Sequence, residues 1–173
     1  MWNKNIDVGV KLLKRNEVEE ALRFQQSVFD DMACQEWFHL MTRDEFTRAI
    51  EGRGKVGFLM SGGKKMGIFT FVYDEDDYLK EYGVDNKNMM ILHGVMVKKE
   101  YRGMGLQRRI LQMAKEDARR NKADGIVATV HPDNVYSLRN FLVEGFKIIK
   151  KLGFIMAIDM WCICLWCNGC KRR

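Results

Sequence analysis

The chain has 173 residues, of which 47% are hydrophobic, and it carries a formal net charge of +6. This length and apolar content predict one domain, residues 1–173, with a sizeable core. No charge-neutral span is long enough to cross a membrane, and the N-terminus lacks an apolar signal core, so we expect no membrane partner. Five cysteines would leave one unpaired in an oxidised chain, and a reduced, cytoplasmic setting is therefore expected.

Hydrophobic periodicity in the N-terminal half predicts a strand, two helices and a hairpin. Their predicted ranges are residues 5–13 for the strand, 16 or 17 to about 31 and 43–51 for the helices, and 56–60 and 65–73 for the hairpin strands. Thr42 is the expected N-cap of the second helix. A glycine turn at residues 61–64 joins the hairpin strands, and the acidic segment 74–77, continued to residue 87, is expected to form a loop.

In the C-terminal half, strands and helices alternate. The predicted elements are strands at residues 89–97 and 126–130, helices at 106–121 and 134–144, and two final strands at 146–152 and 154–166. The complete order is β-α-α-β-β-β-α-β-α-β-β, which indicates an α/β (α+β) fold with helices packed against a sheet.

A basic, glycine-rich turn separates the fourth strand from the third helix. Its sequence from Arg102 to Arg108 is Arg-Gly-Met-Gly-Leu-Gln-Arg, with Gly103 and Gly105 two positions apart. Glycines allow the backbone to approach a ligand closely, and the first N–H groups of a helix lack intrahelical partners and favour an anion. The turn therefore predicts a site for a pyrophosphate, with further positive charge from Lys98, Lys99 and Arg109.

The spacing of this turn excludes two common phosphate-binding motifs. The chain contains no G-x-x-x-x-G-K string followed by Ser or Thr, and Arg108 stands where the dinucleotide fingerprint requires its third glycine. Arg102-x-x-Gly105-x-Gln107 instead resembles the coenzyme A signature of the GNAT superfamily of N-acetyltransferases, with Gln107 in place of the usual final Gly or Ala. An ordinary glycine turn is the alternative interpretation of so short a motif.

A second segment, residues 128–146, resembles the next GNAT motif, in which a strand leads to an asparagine and a short helix ending in Gly-Phe. Asp133 or Asn134 can cap the start of this helix, and Gly145 suits its end. The resemblance implies that Asn134 hydrogen-bonds the pantetheine arm or nearby groups and that Ser137 lies close to the cofactor. An N-cap role alone is the alternative for Asn134. The resemblance is clearest over residues 88–153.

This resemblance implies the GNAT fold, a mixed, mostly antiparallel twisted sheet flanked by about four helices. It also implies an acetyltransferase that uses acetyl-CoA as cosubstrate, without a metal, and moves the acetyl group to a primary amine of a small molecule or peptide. The amine would attack the thioester directly in a ternary complex, where positioning supplies much of the rate. The alternative is a catalytically weak or inactive GNAT-like module that binds coenzyme A for regulation.

The resemblance implies coenzyme A binding at one strand end, the glycine turn and the start of the fourth helix. Strand amides near Val95 and Val97 would pair with pantetheine as an added strand, and a backbone amide there would polarise the thioester carbonyl. The implied cofactor-binding residues are Val95, Met96, Val97, Arg102, Gly103, Met104, Gly105, Leu106, Gln107, Arg108, Asn134 and Ser137.

His93 is the candidate catalytic base. Period-2 alternation on the fourth strand predicts that it shares a face with Val95 and Val97, and histidine titrates near neutrality. Arylalkylamine acetyltransferases, a GNAT branch, use a histidine at a similar offset. A buried histidine held by a hydrogen bond is the alternative, and His39 and His131 are weaker candidates for the base.

The general acid that many GNATs carry is absent from its usual place. These relatives have a tyrosine seven residues after the motif asparagine, where this chain has Phe141. Phenylalanine cannot donate a proton, so the departing thiolate would need water, the substrate or another group. Tyr136 lies on a different face of the predicted helix and is expected to pack or to face solvent.

The acceptor pocket in this family is usually built from the first two helices and the loop before the fourth strand. Those regions contain Phe29, Trp37, Phe38, His39 and the acidic segment 74–77. The acidic segment suits a cationic amine, and a solvated loop is its other interpretation. The basic residues cluster at the glycine turn without interleaved aromatic side chains, so we expect no nucleic acid partner.

The C-terminal segment, residues 154–173, departs from the family in its cysteines, Cys162, Cys164, Cys167 and Cys170. Four thiolates suit a metal, but ligands this close in sequence would strain the geometry of one ion, so we expect no metal. A buried or dimer-forming strand with incidental thiols is the preferred interpretation, and the protein is expected to be a monomer or a homodimer.

Overall fold

The computed structural model describes residues 7–73, 88–152 and 161–167, with side chains described up to residue 149. In these ranges the elements are β1 (Gly9–Leu12), α1 (Val18–Asp30), α2 (Arg43–Glu51), β2 (Lys55–Ser61), β3 (Lys64–Tyr73), β4 (Met89–Val97), α3 (Leu106–Arg120), β5 (Gly125–Val130), α4 (Val135–Val143), β6 (Lys147–Leu152) and β7 (Trp161–Cys167). This order confirms the predicted one.

Some predicted features fall outside the described residues. They are the start of the first strand at residues 5 and 6, the acidic segment 74–77 with its continuation to 87, and residues 154–160 of the last strand. Cys170 also lies outside them, as do the side chains of Cys162, Cys164 and Cys167. The β7 backbone pairs with β5 and β6, so the strand prediction is confirmed for residues 161–166.

Local sequence explains the second helix and the hairpin. The Thr42 hydroxyl accepts a hydrogen bond from the Glu45 N–H at 3.3 Å, and the Glu45 carboxylate accepts one from the Thr42 N–H at 2.6 Å. This reciprocal capping confirms Thr42 as the N-cap of α2. Gly62 and Gly63 both have positive φ, at 53° and 75°, and form the two-residue turn that joins β2 to β3.

The strands form one sheet in the order β1-β2-β3-β4-β5-β7-β6. Among the described strands, β4 and β5 pair in parallel and the other neighbours pair antiparallel. The predicted mixed, mostly antiparallel sheet is therefore confirmed. Helices α1 and α2 cover one face, where Val18, Phe24 and Phe46 are buried, and helices α3 and α4 cover the other, where Ile110, Leu111 and Phe141 are buried.

Strands β4 and β5 stay together over only part of their length. Their ladder joins Met89 to Gly125, Met90 to Ile126 and Ile91 to Val127, and it ends there. β4 continues to Val97, and β5 pairs along its whole length with β7 on its other side. The two strands therefore diverge and leave a wedge between residues 92–97 and 128–130, where the β4 backbone has no β5 partner.

Candidate active site

A cavity of about 840 Å³ lies beside the end of β4, beyond the point where β4 stops pairing with β5. One wall consists of the end of β4, the glycine turn and the starts of α3 and α4, and the other consists of the end of α1 and the residues after it. The predicted cofactor-binding residues that line it are Val95, Met96, Val97, Arg102, Gly103, Gly105, Leu106, Gln107, Arg108, Asn134 and Ser137. Met104 does not belong to this lining; it packs against the core beneath α3.

The glycine turn directly precedes α3 and has the backbone geometry that an anion site requires. Gly103 and Gly105 have φ of 77° and 72°, a left-handed conformation that side chains disfavour. Gly105 is the N-cap of α3, and the Arg109 N–H donates to its carbonyl at 3.1 Å. The N–H groups of the first helical turn, beginning at Leu106, therefore have no acceptor within the helix. Backbone donors and the helix dipole favour negative charge at this end of the cavity.

The basic residues around the turn have different surroundings. Arg102 Nε donates to the Val97 carbonyl at 3.2 Å, which closes the turn and keeps its guanidinium at the cavity wall. Arg109 instead donates to the Val8 carbonyl at 2.5 Å, next to β1. The prediction that Arg109 adds charge at the turn is therefore wrong, because its guanidinium is engaged at Val8.

Arg108 is held by a carboxylate that the sequence analysis did not identify. Glu144, whose side chain is only 6% exposed, accepts from Arg108 Nε at 2.9 Å and from Lys115 Nζ at 2.8 Å. Gln112 donates to the same carboxylate at 3.1 Å. Burial raises the pKa of Glu144, but the hydrogen bonds from Lys115 and Arg108 outweigh it and hold the pKa below its ordinary value. Glu144 is thus charged at neutral pH and orients Arg108.

We expect Glu144→Gln to lower the free energy of unfolding at pH 7 by about 2 kcal/mol, because Arg108 and Lys115 lose a buried charged acceptor. A depressed carboxyl pKa stabilises the fold above the ordinary pKa of glutamate, and this contribution disappears as the pH falls through the folded-state value. Urea unfolding at pH 7 and at pH 3.5 should therefore show a larger difference between parent and variant at pH 7 than at pH 3.5.

The control for this prediction is Glu116→Gln. Glu116 pairs with Arg120 at 3.8 Å on the exposed surface of α3, where an ion pair contributes at most about 1 kcal/mol. Equal destabilisation by the two variants, or a Glu144→Gln effect that does not change with pH, would contradict the assigned ion pairs.

A polar network joins α3 to α4 along the cavity. Gln107 Nε2 donates to Ser137 Oγ at 2.7 Å, and Gln107 Oε1 accepts from Asn140 Nδ2 at 2.7 Å. The Asn134 side chain accepts from the Ser137 N–H at 3.1 Å, which confirms Asn134 as the cap of α4. Gln107, where the signature usually has Gly or Ala, therefore bridges the two helices on which the cavity wall depends.

The opposite wall is apolar and lies on the α1 side. Its lining residues are Val28, Met32, Ala33, Cys34, Trp37 and Phe38. The Trp37 ring stacks on the ring of His131, with centroids 6.4 Å apart and planes at 27°. His131 is buried at the end of β5, so this contact fixes the segment after α1 against the sheet.

His93 does not share a face with Val95 and Val97, so that prediction is wrong. Thr70 of β3 pairs with Gly94 and the next residue of β3 pairs with Leu92, which leaves His93 as the extra residue of a β-bulge. The bulge resets the alternation: Leu92, Val95 and Val97 pack on the α3 side, whereas His93 Nε2 lies 3.9 Å from Glu45 of α2. His93 therefore lies at the bulge, on the α1–α2 face.

The surroundings of His93 keep its imidazole neutral. Its side chain is 33% exposed, and the partial burial lowers its pKa below the ordinary value near 6.5, while the Glu45 carboxylate acts in the opposite direction. Glu45 is itself held by its bonds to Thr42. A neutral imidazole facing a fixed carboxylate has the properties of a proton acceptor.

Phe141 is a core residue, and Tyr136 lies on a different face of α4 and faces solvent, as the sequence predicted. Phe141 is 3% exposed and packs edge-on against Phe146, with centroids 5.0 Å apart, so its ring belongs to the core. Tyr136 is 77% exposed and lines the cavity at its surface. A second tyrosine of the lining, Tyr101, was not identified from sequence.

Other lining residues were also missed from sequence, namely Val28, Met32, Cys34, Arg139, Asn140 and Val143. Helical spacing identifies the face of α1 that contains Val28, but it does not distinguish a core position from a cavity wall. No helix in the described ranges is both long and apolar enough to cross a bilayer. The described side chains also include no group of three His, Cys, Asp or Glu able to hold a metal ion.

The sequence comparison decides the family. Residues 18–146 match the model of the acetyltransferase (GNAT) family. The chain is a member of the GNAT family. This confirms the resemblance inferred from the glycine turn and the Asn134 segment. No curated protein sequence is detectably similar to the GNAT chain described here.

Solved GNAT structures have the same fold. A GNAT-family acetyltransferase from Streptococcus pneumoniae is 16% identical and matches 94% of this chain and 100% of its own, with a TM-score of 0.72. The putative acetyltransferase yncA from Salmonella typhimurium, solved with its cofactor acetyl-CoA, is 15% identical over 93% and 94% of the two chains, with a TM-score of 0.69. Arabidopsis thaliana NAA60 in complex with a bisubstrate analogue is 11% identical over 94% and 99%, with a TM-score of 0.73.

Proposed function

We propose that this GNAT protein transfers the acetyl group of acetyl-CoA to a primary amine by direct attack in a ternary complex. The observation that carries the proposal is the continuity of the cavity. It joins the glycine turn and the α3 N-terminus to the apolar wall formed by α1 and the segment after it, along the end of β4 that has no β5 partner. One cavity therefore offers an anion-binding end and an apolar end.

The anion-binding end suits the pyrophosphate of coenzyme A. Its donors are the free N–H groups at the start of α3, and Arg102 and Arg108 add positive charge. The bound acetyl-CoA of the Salmonella relative supports the assignment. Asn134 and Ser137, together with the end of β4, would contact pantetheine, and the unpaired β4 edge supplies N–H and C=O groups for a strand-like pairing.

The chemistry follows from what the bulge and its neighbours offer. The amine nitrogen forms a bond to the thioester carbon, the carbon–sulfur bond breaks, and the thiolate accepts a proton. A backbone N–H near the bulge stabilises the oxyanion, and His93, which lies at the bulge outside the cavity lining, accepts through water the proton that the ammonium must lose. The bisubstrate analogue bound to NAA60 supports a mechanism in which both substrates occupy the site together. Phe141 supplies no proton, so water or the substrate would protonate the thiolate.

The test combines coenzyme A binding with turnover. Calorimetry should detect binding of acetyl-CoA to the folded protein, and a panel of primary amines should release free thiol from acetyl-CoA, with the acetylated amine identified by mass spectrometry. Absence of coenzyme A binding would refute the proposed site. Binding without turnover on any amine would make a coenzyme A-binding regulatory module the correct function.

A further inference from the structure

The acceptor side of the cavity is built from carbon-rich side chains. We define the acceptor wall as Val28, Met32, Ala33, Trp37 and Phe38. Val28 is buried and belongs to the core between α1 and the sheet, and Met32 and Phe38 pack against that core. Such a wall favours an apolar group on the substrate, because burial of each Å² of apolar surface contributes about 25 cal/mol.

The aromatic part of this wall is held next to the bulge. The Phe38 ring lies 3.5 Å from the position that a Cβ would occupy on Gly94, so the ring covers the backbone one residue from His93. Trp37 is fixed by its stacking on His131. An amine that approached the bulge beside Gly94 would therefore place its substituent against Phe38 and the neighbouring Trp37.

The charges around the cavity are unequally distributed. Arg102, Arg108 and Arg139 line it, whereas none of the described lining residues is Asp or Glu. Glu45, whose carboxylate lies 3.9 Å from His93 Nε2 on the α1–α2 face, is a negative charge near the bulge that would attract the ammonium that becomes the nucleophile. A second ammonium on the same substrate would meet apolar side chains or arginines, and its loss of water would not be compensated.

From these observations, and on the basis of the proposed function, we infer that the acceptor is a primary amine with a single positive charge and an apolar substituent. Polyamines and aminoglycosides are poor acceptors. Small apolar amines and peptides with an apolar first residue share this chemistry, and separate assays distinguish these two sources.

The experiment compares matched acceptors with the 173-residue chain and acetyl-CoA. The small-molecule series is 2-phenylethylamine and isoamylamine against 1,4-diaminobutane and spermidine, and the peptide series begins with Leu or Phe against Asp or Ser. We expect kcat/KM to be at least about tenfold higher for apolar acceptors, the size of discrimination that an apolar pocket can supply. The series with the higher kcat/KM for its apolar members shows whether the acceptor is a small amine or a peptide.

Met32→Glu tests the charge argument, and Met32→Gln is its uncharged control of similar size. Met32 is only half-buried, so both variants are expected to fold, which thermal unfolding monitored by circular dichroism checks. We expect Met32→Glu to reduce the preference for 2-phenylethylamine over 1,4-diaminobutane about tenfold more than Met32→Gln does, since only the glutamate pairs with the second ammonium.

The outcomes separate this inference from the proposed function. The inference is overturned if diamines or aminoglycosides are acetylated as efficiently as apolar amines. It is also overturned if the two Met32 variants have equal effects. Either result leaves the acetyltransferase function intact. Failure of every amine despite coenzyme A binding would overturn both.

Discussion

Gly105→Val is expected to weaken coenzyme A binding about ten- to a hundredfold, the largest effect of any single change in the cofactor half of the cavity. Gly105 has φ of 72° and is the N-cap of α3. An L-residue in this conformation costs about 1–2 kcal/mol, and a β-branched side chain would move the backbone out of it. The first N–H groups of α3 would then no longer converge on the pyrophosphate, and each charge-assisted bond lost costs about 1.5–3 kcal/mol.

Gly63→Val is the matched control. Gly63 has nearly the same φ, 75°, and a Cβ added there would meet no atom within 4 Å. It lies in the turn between β2 and β3 and does not line the cavity. Both variants therefore carry similar backbone strain, and thermal unfolding should show comparable destabilisation. Calorimetry with coenzyme A should show weakened binding for Gly105→Val alone; equal affinities in the two variants would remove the turn from the binding site.

The glycine turn was predictable because its information is local. The αL glycines, the helix start and the basic residues all lie within residues 102–108, so turn chemistry and helix capping suffice to identify them. The strands and helices were predictable for the same reason, since hydrophobic periodicity is set by residues near one another in the chain. Strand β5, for example, was predicted at 126–130 and spans Gly125–Val130.

The predictions that were wrong and the contacts that were missed depend on partners distant in sequence. The bulge at His93 is defined by pairing with Thr70 and its neighbour on β3, and period-2 alternation assumes that no such bulge occurs. Glu144 contacts Arg108 across 36 positions, and Gln107 contacts Ser137 across 30. Sequence shows that these side chains are charged or polar, but only the packing of α4 beside α3 selects which of them meet.

The β4–β5 divergence has the same origin. Both strands read as continuous apolar segments, yet their ladder stops at Ile91 and Val127. The ladder stops just before the bulge in β4, whose position is set by the pairing of β4 with β3. The cavity on which the proposed function depends is thus a property of the assembled sheet.

His93→Ala is expected to lower the turnover of amine acetylation about a hundredfold while leaving coenzyme A affinity nearly unchanged. His93 lies at the bulge on the α1–α2 face and does not line the cavity where coenzyme A is proposed to bind. General base catalysis typically contributes 10²–10⁴-fold, and the lower end applies because positioning alone supports part of the reaction. The pKa of His93 is lowered, so its basic form is present at neutral pH.

The pH dependence separates a catalytic base from a structural histidine. A base with a lowered pKa loses activity only as the pH falls below that pKa, which lies under 6.5, and it is dispensable where the acceptor amine is already deprotonated. The loss of turnover in His93→Ala should therefore be greatest at pH values between the pKa of His93 and the pKa of the acceptor amine. It should diminish at alkaline pH. A structural histidine would give a deficit that does not vary in this way.

Glu45→Gln provides the second readout. Glutamine keeps the capping bond to the Thr42 N–H, but it removes the negative charge 3.9 Å from His93. In the native protein this charge raises the imidazole pKa, so its removal lowers that pKa further. The acid limb of the rate profile should consequently move to lower pH in Glu45→Gln, and it should be absent from His93→Ala. If the parent, Glu45→Gln and His93→Ala profiles have the same shape, His93 does not transfer the proton, and positioning of the two substrates in the cavity carries the reaction.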